Sequence, residues 1–245
     1  MANKSRKRGG RKSSGGPGRT FYIVLALVVA AGVVALFALR GGGGEQPVSQ
    51  PMSVAALNQP ADSSAGIVEG SADAPVTIAE FGDYTCPHCA EFTRVTGRAL
   101  RQNYVETGKV KWIFYDFPLN QSTNAIPAAL AARCAGEQGR YWPMHDLLYA
   151  NQLQWVRSND PQGRFEDYAG QAGVGDMDRW KQCYESQNYV PRIMASRAYG
   201  DQLGVNATPT IFLNGREVPL RQADYGSLER LIQQATPGGS STGSP

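Results

Sequence analysis

Two cysteines with two residues between them, Cys86-Pro87-His88-Cys89, carry the strongest chemical signal in the chain. Proline suits the first position of a helix, where its missing N–H is not needed, so Cys86 is expected as the residue that caps the helix start. Its sulfur then faces the unpaired N–H groups of His88 and Cys89 and the positive end of the helix dipole, and each favours thiolate over thiol. His88, protonated or donating a hydrogen bond, would act in the same direction. Cys89 lies over the same first turn and can close a disulfide with Cys86. A stabilised Cys86 thiolate stabilises the reduced pair, so the disulfide becomes an oxidant. A substrate thiolate would attack Cys86, and the substrate's second thiol would resolve the mixed disulfide; Cys89 resolves in the reverse direction. Two plainer uses of such a pair are half of a zinc site and a local structural disulfide. Zinc commonly draws four ligands from two such pairs. The chain has no second C-x-x-C and one further histidine, His145, so no metal is expected.

Three other groups bear on that chemistry. Glu80 shares a strand face with Val76 and Ile78, which points it into the core beneath the cysteines. A buried carboxylate without a partner is costly, so its pKa should rise, and it could then exchange a proton with Cys89. An edge-exposed Glu80 is the alternative. Cys134 follows Ile126 and Leu130 at helical spacing, and Cys183 follows Trp180, so both sit on apolar faces. The even cysteine count leaves no orphan, and a Cys134–Cys183 bond would close a loop worth roughly 4 kcal/mol in the chain-entropy account. A structural disulfide is expected there, with two free thiols or a redox relay as alternatives. His145, among Trp142, Met144, Leu147 and Leu148, reads as a packed, hydrogen-bonded histidine.

These groups need a sheet and helices to position them. Pro75–Phe81 reads as a strand, residues 87 to about 106 as a helix, and Lys109–Phe117 as a second strand rich in Val, Trp, Ile, Phe and Tyr. A mostly helical stretch runs from about residue 122 to 204, broken near Gly139, Pro161 and Gly173. Thr210–Leu213 is a third strand, and Asn214-Gly215 a strong hairpin turn into residues 216–219. Residues 224–235 close the domain as a helix. The order β-α-β, helical block, β-β-α predicts an α/β domain with one sheet flanked by helices.

Of the 24 basic residues, eight lie in the first 40 positions, where no acidic residue occurs; the remaining 205 residues carry 16 basic against 21 acidic, a net of −5. The basic balance therefore belongs to the N-terminal segment and gives no support to nucleic-acid binding by the folded part, and none is expected. Residues 1–20 read as a disordered cytoplasmic tail. Residues 21–39 contain no charge and no proline, and as a helix would span roughly 28 Å, close to the hydrocarbon core of a bilayer. Seven positive charges precede this segment and only Arg40 follows closely, which places the N-terminus in the cytoplasm and the rest across the membrane. An uncleaved signal-anchor is expected, with a cleaved signal peptide as the competing reading. Residues 40–66 read as a flexible linker, 67–236 as the domain, and 237–245 as a disordered tail. Paired cysteines suit an oxidising compartment.

The sequence resembles the DsbA-like branch of the thioredoxin superfamily, in its membrane-anchored type, over roughly residues 68–235. The likeness rests on the Cys-Pro-His-Cys of residues 86–89, on Glu80 six positions before the first cysteine, on Ala207-Thr208-Pro209-Thr210 before the third strand, and on the stretch from Gln138 to Asp146. The resemblance implies a thioredoxin-like fold with a helical insertion at about 120–204. It implies a cis-proline at Pro209, leaving the Thr208 backbone free to pair with an extended substrate; read alone, Pro209 could be only a strand start. The expected activity is a membrane-tethered protein disulfide oxidase acting through Cys86 and Cys89 on cysteine-containing exported proteins. The family suggests reoxidation by a quinone-linked membrane partner. No flavin, haem or nucleotide signature appears, and no cofactor is expected. An extracytoplasmic reductase or isomerase is the nearest rival, and a tethered binding module without turnover is another.

Overall fold

The central strand of the sheet is the one that leads into the cysteine pair. A computed structural model describes residue 23, residues 61–119 and residues 122–237. Among them, five strands form one sheet: β1 (Ile67–Glu69), β2 (Val76–Gly82), β3 (Val110–Asp116), β4 (Thr210–Leu213) and β5 (Arg216–Val218), in the order β1-β3-β2-β4-β5. β2 and β3 run parallel, and the other neighbours are antiparallel. A parallel pair needs a crossover, supplied by the helical run from Pro87 to Val105. That run is not the uniform helix its sequence suggests. It begins as α1 (Pro87–Phe92), widens to π-helical turns at Thr93–Gly97, narrows to α2 (Arg98–Leu100), and widens again at Arg101–Val105.

Between β3 and β4 lie α3 (Ala125–Gly136), α4 (Tyr141–Ala150), α5 (Gln152–Trp155), α6 (Gln162–Gln171), α7 (Met177–Ser186) and α8 (Val190–Gln202); α9 (Tyr225–Ala235) follows β5. The breaks fall where the backbone demands them. Gly139 and Gly173 have φ of 71° and 83°, and Pro161 caps α6. The β4–β5 turn has φ of 48° at Asn214 and 77° at Gly215, the two left-handed residues a tight hairpin requires. Asn214 also exchanges hydrogen bonds with Thr77: its N–H donates to the Thr77 carbonyl, and its Oδ1 accepts from the Thr77 N–H.

One face of the sheet presents Val76, Ile78, Trp112 and Ile211 to Phe92, Leu100, Leu228 and Ile232. On the other face Phe81 stacks on Tyr115, with ring centroids 4.7 Å apart, and meets Phe117 and Tyr199 of α8. Burial of each such side chain contributes roughly 1.5–3 kcal/mol. A Cβ on Gly200 would lie 2.7 Å from the Phe117 ring, so only glycine lets α8 approach this closely. The alanine-rich α3 is buried on nearly every side and forms the middle of the helical block.

Strand β1 has no counterpart in the sequence reading: three residues at a sheet edge carry too little periodicity. The turn before it, Ser63–Ala65, lies within the stretch read as linker. It is tied to the domain because Arg133, buried in α3, donates to the Ala65 carbonyl at 2.8 Å and to Asp116 Oδ2 at 2.6 Å. The expected tail at 1–20, the anchor at 21–39 (Ile23 excepted) and the linker as far as residue 60 lie outside the described residues, as does the C-terminal tail after Pro237. Among the described residues no helix is long and apolar enough to cross a membrane.

A disulfide joins Cys134 on α3 to Cys183 on α7, 49 positions apart. The double replacement Cys134→Ala/Cys183→Ala is expected to lower the unfolding free energy by about 4 kcal/mol. For a domain of this size that corresponds to a fall in melting temperature on the order of 10 °C, readable by calorimetry. An unchanged melting temperature would show that the bond constrains nothing the helices do not already hold.

Candidate active site

The end of β2 delivers the chain into a tight turn that aims Cys86. Asp83 organises it. Its Oδ1 accepts from the Thr85 N–H at 2.7 Å and the Thr85 hydroxyl at 2.8 Å, its Oδ2 accepts from the Leu119 N–H at 2.7 Å, and its carbonyl accepts from the Cys86 N–H at 3.0 Å. Burial raises the Asp83 pKa, and the same hydrogen bonds oppose that rise. Cys86 leaves the turn extended, at φ −78° and ψ 121°, and Pro87 starts the helix behind it.

Both active-site thiols are free. Cys86 is half-buried, and in its thiol form Sγ–H donates to the Thr208 carbonyl at 3.3 Å. Its pKa is lowered to about 5. The largest cause is hydrogen bonding from the Cys89 thiol; partial burial opposes, and the Thr208 side chain and the N–H groups of Cys89 and His88 add to the lowering. Neither N–H closes a capping hydrogen bond to the sulfur. His88 therefore contributes through its backbone, while its side chain stands exposed at the edge of the site. Cys89 is fully buried, and its pKa is pushed well above the usual thiol range, by burial first and then by Cys86. The two sulfurs have been driven apart: one an anion at neutral pH, the other a thiol.

Glu80 lies in the core, 2% exposed, which removes the edge-exposed alternative. Burial raises its pKa to about 8, opposed by the Trp112 indole N–H, which donates to Oε2 at 3.2 Å. Oε1 has no partner. Its charge bears on Cys89, so the protonation of the two groups is linked. The Thr208–Pro209 peptide is cis and sits across from Cys86. Cys134 and Cys183 belong to the helical block and line no part of the groove beside Cys86. His145 is buried, with Nδ1 3.0 Å from Asp146 Oδ1 and its ring 4.9 Å from that of Phe114, a packed histidine. Among the described residues no three His, Cys, Asp or Glu side chains converge as metal ligands would.

Beside Cys86 opens a groove of about 470 Å³, walled by Pro87, His88, Leu119, Val156, Arg157 and Thr208 among others. An extended peptide lying there would bring a cysteine to the Cys86 sulfur. Two residues that shape the site, Asp83 and Gln152, were not singled out in the sequence. Asp83 stands in an Asp-x-Thr turn signature just before the motif, which could have flagged it; nothing local flags Gln152.

A thioredoxin-like α/β domain that presents a reactive cysteine pair at a helix start beside a cis-proline loop is the class that fold and site define. The family model described as thioredoxin matches residues 62–234, and the chain belongs to that family. It is 25% identical over 173 residues to disulfide bond formation protein D of Bacillus subtilis, covering 70% of this chain and 77% of that protein. It is 34% identical over 161 residues to Na(+)/H(+) antiporter NhaA 1 of Salinispora arenicola, covering 65% of this chain; the chain spans only 23% of that relative's length. The crystal structure of oxidised BdbD from Bacillus subtilis superposes with a TM-score of 0.65 at 24% identity, covering 74% of this chain and 97% of that one.

Proposed function

We propose that the chain is a DsbA-like thiol–disulfide oxidoreductase that passes a Cys86–Cys89 disulfide to cysteine pairs in exported proteins. The observation that carries this reading is the split between the two sulfurs, with Cys86 lowered to about 5 at the groove and Cys89 raised in the core. In the oxidised state a substrate thiolate attacks Cys86 Sγ. The Cys86–Cys89 bond breaks and its electron pair leaves on Cys89, which is a poor thiolate and takes a proton; Glu80, protonated up to about pH 8, would supply it. The substrate's second thiolate then attacks its own sulfur in the mixed disulfide and releases Cys86 as a stabilised thiolate. The substrate is oxidised by two electrons and the pair reduced by two. Thr208, beside the sulfur, would pair its backbone with the substrate segment.

The wider setting belongs to the same proposal. Residues 21–39 would anchor the chain, N-terminus in the cytoplasm, with the domain on the extracytoplasmic side. The charge asymmetry around that segment supports this, as does a structural disulfide suited to an oxidising compartment. The six helices between β3 and β4 would be the helical insertion of the membrane-anchored DsbA-like type. Each turnover leaves two thiols, so a two-electron acceptor must restore the disulfide; a quinone-linked membrane protein is the partner proposed. The matched segment is 23% of the antiporter relative, so no ion transport follows from that likeness.

Equilibration of the chain with glutathione buffers tests the direction. A stabilised Cys86 thiolate predicts a potential nearer the ~−120 mV of a strong oxidant than the ~−270 mV of thioredoxin. A value at the thioredoxin end would turn the assignment to reduction.

A further inference from the structure

The active-site turn is held from a side that the motif itself does not supply. Gln152 opens α5 in the helical block and is 5% exposed. Its Nε2 donates to the Tyr84 carbonyl at 2.7 Å and to the Cys86 carbonyl at 2.9 Å. Each acceptor would lose a hydrogen bond on the side facing the block without it. The second is the carbonyl of the reactive cysteine, which also receives the first helical N–H, from Ala90, at 3.2 Å. A carboxamide suits the task. It offers two N–H donors on one nitrogen without a full charge; a carboxylate would turn acceptors toward two carbonyls, and an aliphatic side chain would take one donor from each.

The clamp is held firmly in turn. Trp155, on the same short helix, is fully buried and donates through Nε1 to the Leu148 carbonyl at 2.9 Å. Nδ2 of Asn124 donates to the carbonyls of Trp155, Val156 and Ser158 at 3.2, 3.3 and 2.9 Å, which ties down the far end of α5. Gln152 therefore cannot drift from the turn without disturbing the block.

We propose that Gln152 is a positioning residue for the redox reaction, a clamp from the helical block that fixes the Tyr84–Cys86 backbone and the ionisation of Cys86. It acts in two ways. It holds the Cys86 sulfur over the first helical turn, where the Cys89 thiol and the N–H groups of His88 and Cys89, which stabilise its anion, lie. Its positive N–H end also offsets the carbonyl oxygen of the same residue, a dipole end unfavourable to a neighbouring thiolate. The inference rests on the redox reading above and adds that a residue 66 positions from the reactive cysteine sets its reactivity.

The test is thiolate absorbance against pH on the reduced full chain and its Gln152→Leu and Gln152→Glu variants, with circular dichroism as the check on folding. Gln152→Leu is expected to raise the Cys86 midpoint by about one pH unit, a tenfold change in the ionisation equilibrium. Gln152→Glu is expected to raise it further. A folded Gln152→Leu chain with the wild-type midpoint overturns the clamp and leaves the redox reading standing. A wild-type midpoint near the ~8.5 of a free cysteine overturns both. Should the variants fail to fold, nuclear magnetic resonance on the wild type decides. The Gln152 side-chain N–H signals are expected to shift with the Cys86 midpoint, and signals that ignore that ionisation overturn the proposal.

Discussion

Cys86→Ser is expected to abolish disulfide exchange, and Cys89→Ser to leave a chain that forms mixed disulfides but does not turn over. At neutral pH a thiol with a pKa of about 5 is about 99% thiolate. Cys89, raised well above the ordinary thiol value and fully buried, is almost entirely protonated and out of reach. The thiolate is the nucleophile, so alkylation of the reduced wild type should be fast and nearly flat from pH 6 upward, falling away through pH 5. In Cys86→Ser the rate at neutral pH should drop by roughly tenfold or more: the remaining thiol is almost entirely protonated, and the higher intrinsic nucleophilicity of its rare thiolate offsets only part of that. Burial of Cys89 widens the gap. The measurement is iodoacetamide labelling across pH, with oxidation of a reduced, unfolded protein as the activity readout. A tethered binding module would keep its function in Cys86→Ser. Retained exchange in that variant would remove Cys86 from its role.

The second large effect concerns stability rather than rate. In the folded chain Glu80 holds its proton to about pH 8, whereas an unfolded glutamate releases it near 4.5. Between those values the native state binds more protons than the unfolded one, so stability falls as pH rises. The slope is about 1.4 kcal/mol per pH unit at most. Below the lower value both states are protonated and Glu80 contributes no slope; above the upper value both are ionised and the loss is complete. From pH 5 to pH 8 the wild type should therefore lose on the order of 4 kcal/mol through this group alone. Glu80→Gln keeps the shape and an oxygen to accept from Trp112, and it removes the proton. Urea unfolding at several pH values should show the variant gaining on the wild type steadily across that window. Parallel stability profiles would mean that Glu80 is ionised in the fold and cannot serve as the acid for Cys89. The cost is consistent with the proposed role, since a carboxyl group that stays neutral in the core is one that can donate.

The chemistry of this chain was legible wherever it is local. Pro87 at a helix start puts Cys86 at the cap whatever surrounds it, and Asn214-Gly215 makes a hairpin because both residues tolerate positive φ. Alternation along β2 was enough to bury Glu80 with Val76 and Ile78. These are properties of neighbours in sequence, where sterics and spacing act without help from the fold.

Only the tertiary structure decided what those groups touch. Trp112 as the partner of Glu80, the Thr208 carbonyl beside Cys86, Arg133 buried against Asp116, and the amide of Gln152 on the Cys86 carbonyl all join residues that lie 17 to 122 positions apart. Strand β1 exists because β3 offers it an edge, since three residues have no preference of their own to express. A hydrogen bond or ion pair is set by where two segments come to rest, and that depends on the packing of the whole domain. The identity of either residue alone does not contain it.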